Sequence, residues 1–387
     1  MRTLLIKNGN IVSEGKIRKA DILVIDGVIA EVGFINTVIR ECELIDATDR
    51  YVSAGFIDMH VHGGAGRDIM DLDVDAFKEI SHIHLINGTT TMLPTAVSSK
   101  FEDIVRLIEV YGRAKDLCPN FYGLHLEGPF ISKKQKGAHK EYLLHAPSIE
   151  EIDTIAQIGK GSIKRITAAP ELENSDYLAE KMQKNNVLMS VGHSDATSAV
   201  ASRAFEKGFS LVTHFYNATT SVRKIDQEVV AGIQEAALLN EDVSIEIIGD
   251  GKHTAVEAVR LAVKVKGTDR VALITDALRP TGLNLTESYL GEKTEENRII
   301  IEDGVAKLPD RSSYAGSIAT TNILLKKGVE HYGFSLVDTV KMLTETPANI
   351  LGIENKAKIK KGYVADIVVF DRELNVQKVI LGGRCVR

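Results

Sequence analysis

The alternation of hydrophobic and polar positions changes texture twice along the chain. Residues 1–53 alternate in short β-rich runs, at 3–7, 9–12, 21–25, 27–32 and 44–46, separated by Asn-Gly and Asp-Gly turns. Alternation punctuated this way predicts hairpins. The other end repeats the texture, with runs at 365–371 and 376–381 ahead of Gly382-Gly383. One or two hairpins are marginal in water, so residues 1–53 and 357–387 are expected to complete one small discontinuous β-sandwich domain together. Between them, over 54–356, strand-like apolar runs alternate with amphipathic helical stretches at 75–87, 101–115, 148–159, 176–185, 196–207 and 254–264. Alternating βα units call for a parallel sheet with helices outside it. Candidate strands fall at 55–60, 89–94, 121–127, 166–170, 187–193, 211–214, 244–250 and 271–276. The pattern predicts an α/β fold, a (β/α)8 TIM barrel, whose usual length of roughly 250 residues is near that of the insert.

Bulk properties narrow the function. A chain of 387 residues, 44% hydrophobic and 26% charged, is an ordinary globular composition. A net charge of -6 argues against nucleic acid as a partner and leaves a small anionic substrate open, since only a local basic cluster need attract it. Cys42, Cys118 and Cys385 are few, odd in number and far apart, the usage of a cytoplasmic protein with reduced thiols. The apolar run at the start is too short for a signal peptide, and no later run approaches the roughly 20 apolar residues of a membrane span.

Barrel enzymes gather their chemistry at the C-terminal ends of the strands. Here those ends carry His60 with His62, then Glu127, His193, His214, Asp250 with His253, and Asp276. On a strand His60 and His62 point the same way and can clasp one ion. Singly, Glu127 reads as a surface charge, and His193 and His214 read as hydrogen-bonded core histidines. Jointly they form a two-histidine, one-carboxylate set that leaves an open position on a zinc-like ion. Such an ion lowers the pKa of bound water from 15.7 to about 7. Asp276 then stands where it can carry a proton from water to a leaving group, although a helix N-cap is its bland alternative. His60 and His62 mark a second metal position or the remnant of one. His82 and His84 lie two apart on a helical pattern and face away from each other. His125 shares Glu127's face by strict period two and reads as a residue that supports the site from behind or as a packing residue, and His145 and His331 read as surface. His139 lies in a loop over the barrel mouth, and the turn Asp250-Gly251-Lys252-His253 can present N–H groups and an imidazole to an anion.

With these residues placed, the chain resembles the amidohydrolase superfamily, through Asp26-Gly27-Val28-Ile29-Ala30, Gly55-Phe56-Ile57-Asp58-Met59-His60-Val61-His62 and Gly362-Tyr363-Val364-Ala365-Asp366. Within it, His125-Leu-Glu-Gly-Pro-Phe130, Lys136-Gly-Ala-His139, Val191-Gly-His-Ser-Asp-Ala196, Thr213-His-Phe-Tyr-Asn-Ala218, Asp250-Gly-Lys-His253, Leu273-Ile-Thr-Asp-Ala277 and Ala315-Gly316-Ser317 are similar to the N-acetylglucosamine-6-phosphate deacetylase family. The match runs in order along nearly the whole chain. The resemblance implies a homodimer, a divalent metal cation (zinc or iron, one or two ions) on Glu127, His193 and His214, and Asp276 as acid/base. It implies that His139 contacts the substrate near the reacting amide, with Ala138 beside it. It implies that the turn at Asn217-Ala218, with Asp250, Gly251 and His253, holds a sugar phosphate, and that Ala315, Gly316 and Ser317 line the sugar pocket. Family members usually carry an arginine in an Arg-Glu-Pro-Gly run that reaches the phosphate across the dimer. This chain instead has Thr219-Thr-Ser-Val-Arg-Lys-Ile-Asp-Gln-Glu-Val229, so Arg223 or Lys224 is the expected substitute.

The expected activity is metal-dependent hydrolysis of a linear amide, the acetamide of an N-acetylglucosamine 6-phosphate, with the galactosamine epimer as the alternative. A cyclic-amide hydrolase of the same superfamily is a further alternative. Many of those use a modified lysine at the fourth strand end, where residues 166–170 offer none. A non-catalytic scaffold predicts missing ligands, whereas all are present.

Overall fold

Eight short strands, each buried along nearly its whole length, form the centre of the molecule. A computed structural model describes residues 2–36 and 41–387. The strands are β1 (Phe56–Val61), β2 (Thr89–Ala96), β3 (Leu124–Glu127), β4 (Ile163–Ala168), β5 (Leu188–Val191), β6 (Phe209–Val212), β7 (Ser244–Ile248) and β8 (Val271–Ile274). All pair in parallel and in chain order. A parallel bridge between Val61 and Ala277, with the Asp276 N–H donating to His60 O at 3.0 Å, joins the last strand to the first. The fold is a (β/α)8 barrel.

Helices follow the strands because their sequences bury one stripe. Val74–Ile86 turns Phe77, Ile80 and Leu85 inward, and Asp73 caps it by accepting from the Ala76 N–H. Ile149–Ile158 begins on a reciprocal capping box between Ser148 and Glu151. Five helical segments follow β8, where the sequence pattern predicts none: a 3-10 turn Glu295–Asn297, Thr321–Lys326, a π-helical turn Lys327–His331, Leu336–Leu343 and Glu345–Ile350. Among the described residues no helix is long and apolar enough to cross a membrane.

The two chain ends share one sheet. Strands Thr3–Ser13, Lys16–Ile25, Val28–Gly33, Glu43–Asp46 and Tyr51–Ala54 join Ile367–Phe370, Val376–Leu381 and Arg384–Cys385. Thr3–Ser13 merges the two separate runs read at 3–7 and 9–12, with a bulge between Ile6 and Gly9. Alternate residues Leu4, Ile6, Ile22, Val24, Val52, Ile367 and Val369 close over a core distinct from that of the barrel. The union is made by Tyr51–Ala54, whose Ala54 pairs with Ile367. A further three-stranded sheet, Glu287–Tyr289, Arg298–Glu302 and Val305–Lys307, lies in the long segment after β8. Its Ile299 and Ala306 pack with Leu278 and Ala315, and Ala138 from the loop after β3 lies against that cluster.

Candidate active site

Three of the strand-end side chains are aimed by backbone that turns abruptly. His193, His214 and Asp276 have φ of 47°, 27° and 51°. Non-glycine residues rarely adopt this left-handed region, at a cost of roughly 1–3 kcal/mol each, and such strain gathers at functional sites. Gly192 permits the first turn. A Cβ there would lie 2.6 Å from Thr167 Cγ2 and 2.8 Å from Thr213 Cβ, so only glycine fits where β4, β5 and β6 converge.

The turns bring four imidazoles onto one carboxylate. Glu127 Oε1 lies 3.2 Å from His193 Nε2 and 2.9 Å from His214 Nε2. Glu127 Oε2 lies 3.3 Å from His60 Nε2 and 3.2 Å from His62 Nε2. Asp276 Oδ1 closes the second corner, 3.2 Å from His62 Nε2 and 3.5 Å from His60 Nε2. Within each pair the ring nitrogens almost touch, His193 to His214 at 3.0 Å and His60 to His62 at 3.1 Å.

The other ring nitrogens explain the orientation. His193 Nδ1 is 2.8 Å from Gln135 O, His214 Nδ1 is 3.0 Å from Asn217 O, and His62 Nδ1 is 3.2 Å from Thr95 O. His60 Nδ1 is 3.0 Å from Glu246 Oε1. A carbonyl or an ionised carboxylate can only accept, so each Nδ1 carries its hydrogen and each neutral ring keeps its lone pair on Nε2. Four lone pairs then converge on a carboxylate, an arrangement that repels itself until a cation or protons enter. The donor set fits a divalent cation at two corners that share Glu127. One corner holds His193 and His214, the other His60, His62 and Asp276.

Protons can supply the balance in place of a cation. Burial opposes charge on His60 and His62, yet Glu127 and Asp276 pull them up, to about 9 and about 10. Burial likewise opposes charge on Asp276, but His60 and His62 hold its carboxyl down at about 2. Glu127 is held well below the usual carboxylate range by His60, His193 and His214 in spite of its burial. A cation replaces such protons, and its binding releases them.

A cavity of about 160 Å³ opens onto this cluster, bounded by Ile248, Leu278 and Leu290 as well as by the polar groups. His139 stands at its wall. Its Nδ1 lies 2.7 Å from Ser98 Oγ and accepts from the Ser98 N–H at 3.4 Å, so Nε2 carries the hydrogen and points toward Glu127, 3.7 Å from Oε2. Burial, then His193, pushes its pKa well below the ordinary imidazole range and keeps it neutral. At the far side, His253 Nδ1 donates to Asp250 Oδ2 at 2.7 Å, while its buried Nε2 has no partner among the described residues and lines the cavity.

The amidohydrolase family model matches residues 51–386. The chain belongs to the amidohydrolase family. It is 31% identical to the N-acetylglucosamine-6-phosphate deacetylase of Lysinibacillus sphaericus, over 99% of this chain and 97% of that one. Its fold superposes on the N-acetylglucosamine-6-phosphate deacetylase of Pasteurella multocida with a TM-score of 0.92 at 26% identity, covering 99% of each chain. It superposes at 0.90 and 28% identity, over 100% of both chains, on a Mycobacterium smegmatis deacetylase variant in complex with N-acetyl-D-glucosamine-6-phosphate.

Most of the residues this amidohydrolase was expected to use meet at the cavity. Ala138, Asn217, Ala218, His253, Ala315 and Gly316 line it together with His62, Glu127, His139, His193, His214 and Asp276. The remaining five lie behind or beside it, His60 fully buried beneath the cluster. Asp250 orients His253, and Gly251 (φ 76°) donates its N–H to the Tyr332 hydroxyl at 3.1 Å. Ser317 is fully buried, and its Oγ accepts from the Ala319 N–H. Arg223 donates to Asp195 O at 2.7 Å and lies 3.4 Å from Asp195 Oδ1, on a small hairpin with Glu228–Val230. The Asn217 N–H is spent on His214 O at 2.8 Å, so the polar groups this turn brings to the cavity are the Asn217 side chain and the Ala218 backbone. Asp276 caps no helix. His84 is buried against Gly63 O while His82 is exposed, so that pair faces apart as read.

Sequence reading missed a polar layer inside the barrel. Arg165 of β4 and Glu246 of β7 form a fully buried bidentate pair, and Asp58 of β1 accepts from Thr275 Oγ1 at 2.5 Å, burial pushing its carboxyl up to about 7. The available signal was charge at single positions inside apolar runs, Glu246 in Ser-Ile-Glu-Ile-Ile and Arg165 in Ile-Lys-Arg-Ile-Thr. Lys164, its neighbour, turns away over the Tyr122 ring, so the fourth strand brings no lysine to the mouth.

Proposed function

We propose that this amidohydrolase removes the acetyl group of N-acetylglucosamine 6-phosphate, releasing acetate and glucosamine 6-phosphate. The observation that carries this reading is the convergence of four Nε2 atoms on Glu127, with Asp276 and the Nε2–H of His139 beside them. Full-length similarity to deacetylases of this substrate supports the choice of amide. Imidazole with carboxylate suits zinc or iron, and we place one ion on Glu127, His193 and His214 and a second on Glu127, His60 and His62. Such an ion, when bound, polarises the acyl oxygen and acidifies water.

The chain supplies the rest. The His139 Nε2–H donates to the acyl oxygen as it gains negative charge, and Ser98 holds the ring so that this donor needs no reorientation. Asp276, ionised, takes the proton of the attacking water. It returns that proton to the amide nitrogen as the C–N bond breaks, so the amine leaves neutral. His253, held by Asp250, and the turn at Asn217-Ala218 bind the phosphate, while Ala315 and Gly316 border the sugar. We further propose a homodimer, supported by the exposed Val222 and Val229 on the hairpin that carries Arg223. Through that hairpin, Arg223 or Lys224 of one copy reaches the phosphate held by the other. The three scattered cysteines support a cytoplasmic setting.

Acetate release from N-acetylglucosamine 6-phosphate, its galactosamine epimer and both unphosphorylated sugars tests the reading. Turnover should be highest with the glucosamine phosphate and should collapse without phosphate. Preferred turnover of the epimer would reassign the sugar. Turnover of none, by cation-loaded protein, would refute the deacetylase reading.

A further inference from the structure

Of the four imidazoles around Glu127, three are pinned by backbone carbonyls and one by a charged side chain. His60 Nδ1 donates to Glu246 Oε1 at 3.0 Å. The same oxygen accepts the His214 N–H at 3.2 Å, so one atom of Glu246 touches a residue of each cation corner. Behind it, Arg165 Nη1 meets Oε2 at 2.6 Å and Nη2 meets Oε1 at 2.7 Å. The guanidinium also donates to Met59 O at 3.2 Å, the residue before His60, to Thr213 Oγ1 at 2.8 Å, the residue before His214, and to Ser190 Oγ at 3.1 Å. Both side chains are fully buried, and they span the barrel from β4 to β7.

We infer that Arg165 and Glu246 are positioning residues that turn the His60–His62 corner into a working second cation site. The inference rests on the two-ion reading above. A buried ion pair is weak evidence for stability, because apolar side chains of similar size commonly replace one without loss. This pair does something apolar packing cannot. Glu246 fixes His60 as the tautomer with Nε2 free, and it makes that ring a stronger donor than one bonded to a carbonyl. Arg165 grips both oxygens of Glu246 and so fixes the carboxylate where Oε1 meets the His60 ring. His193 and His214 rely on Gln135 O and Asn217 O for their tautomers, so the first corner survives loss of the pair. The pair therefore governs the number of ions and not the presence of the first.

Zinc binding to metal-stripped full-length protein, by equilibrium dialysis, tests this. Wild type should take up two equivalents. Glu246→Gln should keep the first and bind the second roughly 10- to 100-fold more weakly. Because that variant leaves Arg165 buried without its partner, Arg165→Met/Glu246→Gln, which buries no unpaired charge, should show the same loss while retaining the wild-type circular dichroism spectrum. Cobalt(II) titration followed by visible absorption should show two phases for wild type and one for the variants over the same range. Variants that bind both equivalents with wild-type affinity would overturn the inference and leave the two-ion reading intact. Folded variants that lose both equivalents together would overturn it as well. Wild type saturating at one equivalent would overturn both the inference and the two-ion reading, while its acetate release would still decide the deacetylase reading separately.

Discussion

Replacing Asp276 by Asn probes the proton-carrying step with little structural disturbance. The backbone at 276 is held independently of the side chain, its N–H donating to His60 O at 3.0 Å and its carbonyl accepting from the Ser317 N–H at 2.9 Å. Asparagine matches the shape and tolerates a φ of 51°, so the fold should persist. What disappears is the negative charge and the basic oxygen, 3.2 Å from His62 Nε2. A positioned general acid/base contributes about 10²–10⁴ in rate. That corresponds to roughly 2.7–5.4 kcal/mol of transition-state stabilisation. Because Glu127, His193 and His214 are untouched, the first cation should remain and KM should change little, so the loss should sit in kcat. Initial rates of acetate release, with cation content measured on the same sample, check this. A folded, cation-loaded Asp276→Asn enzyme with near-normal turnover would refute the assignment and move the proton to another group.

Further outcomes follow from the same geometry. His139→Asn should lower kcat by about 10²–10³, the cost of losing one donor to a developing oxyanion, and Ser98→Ala should lower it less, since Ser98 only steadies the ring. Equal turnover by His139→Asn and wild type would exclude that role. The cation-free protein should lose stability as pH rises. His60 and His62 titrate at about 9 and about 10 when folded against 6.5 unfolded, so the folded state holds their protons more tightly. That contribution is complete below about pH 6.5 and is lost through pH 9 to 10. Thermal unfolding across pH 6 to 10 should show a falling Tm for stripped protein and a flatter profile for the cation-loaded form; a Tm rising with pH in the stripped form would contradict the charge balance.

The barrel was legible because each of its eight strands is an apolar run that stops at a turn signal, and the side chains that meet around Glu127 were legible because they stand at those stops. His60, Glu127, His193, His214 and Asp276 each end or closely follow a strand, where period-two reasoning and barrel topology together aim them at one mouth. The strength of that reading came from conjunction, since each histidine alone reads as a core residue. Arg165 and Glu246 escaped for the opposite reason. They sit within β4 and β7, at positions where local pattern predicts packing, and only the closed barrel brings two side chains 81 residues apart within 2.6 Å of each other. The elements after β8 were not read because most of them are too short to show a period. The strands there are only three to five residues long and the first α-helix only six, and Leu290 and Tyr314 from this segment wall the cavity beside Ala315 and Gly316, which the resemblance alone had placed there. The merging of 3–7 with 9–12 into one bulged strand was hidden by Asn8-Gly9, which reads as a turn; Asn8 instead takes φ 63° while pairing resumes beyond it.

One measurement bears most directly on the claim that Glu127 and its imidazoles hold a cation on which turnover depends. Enzyme stripped by a chelator and dialysed free of it should release no acetate from N-acetylglucosamine 6-phosphate. Added zinc or iron(II) should restore activity in proportion to the cation bound, and Glu127→Gln should stay inactive throughout. Undiminished acetate release by the stripped wild-type protein would contradict the account at its centre.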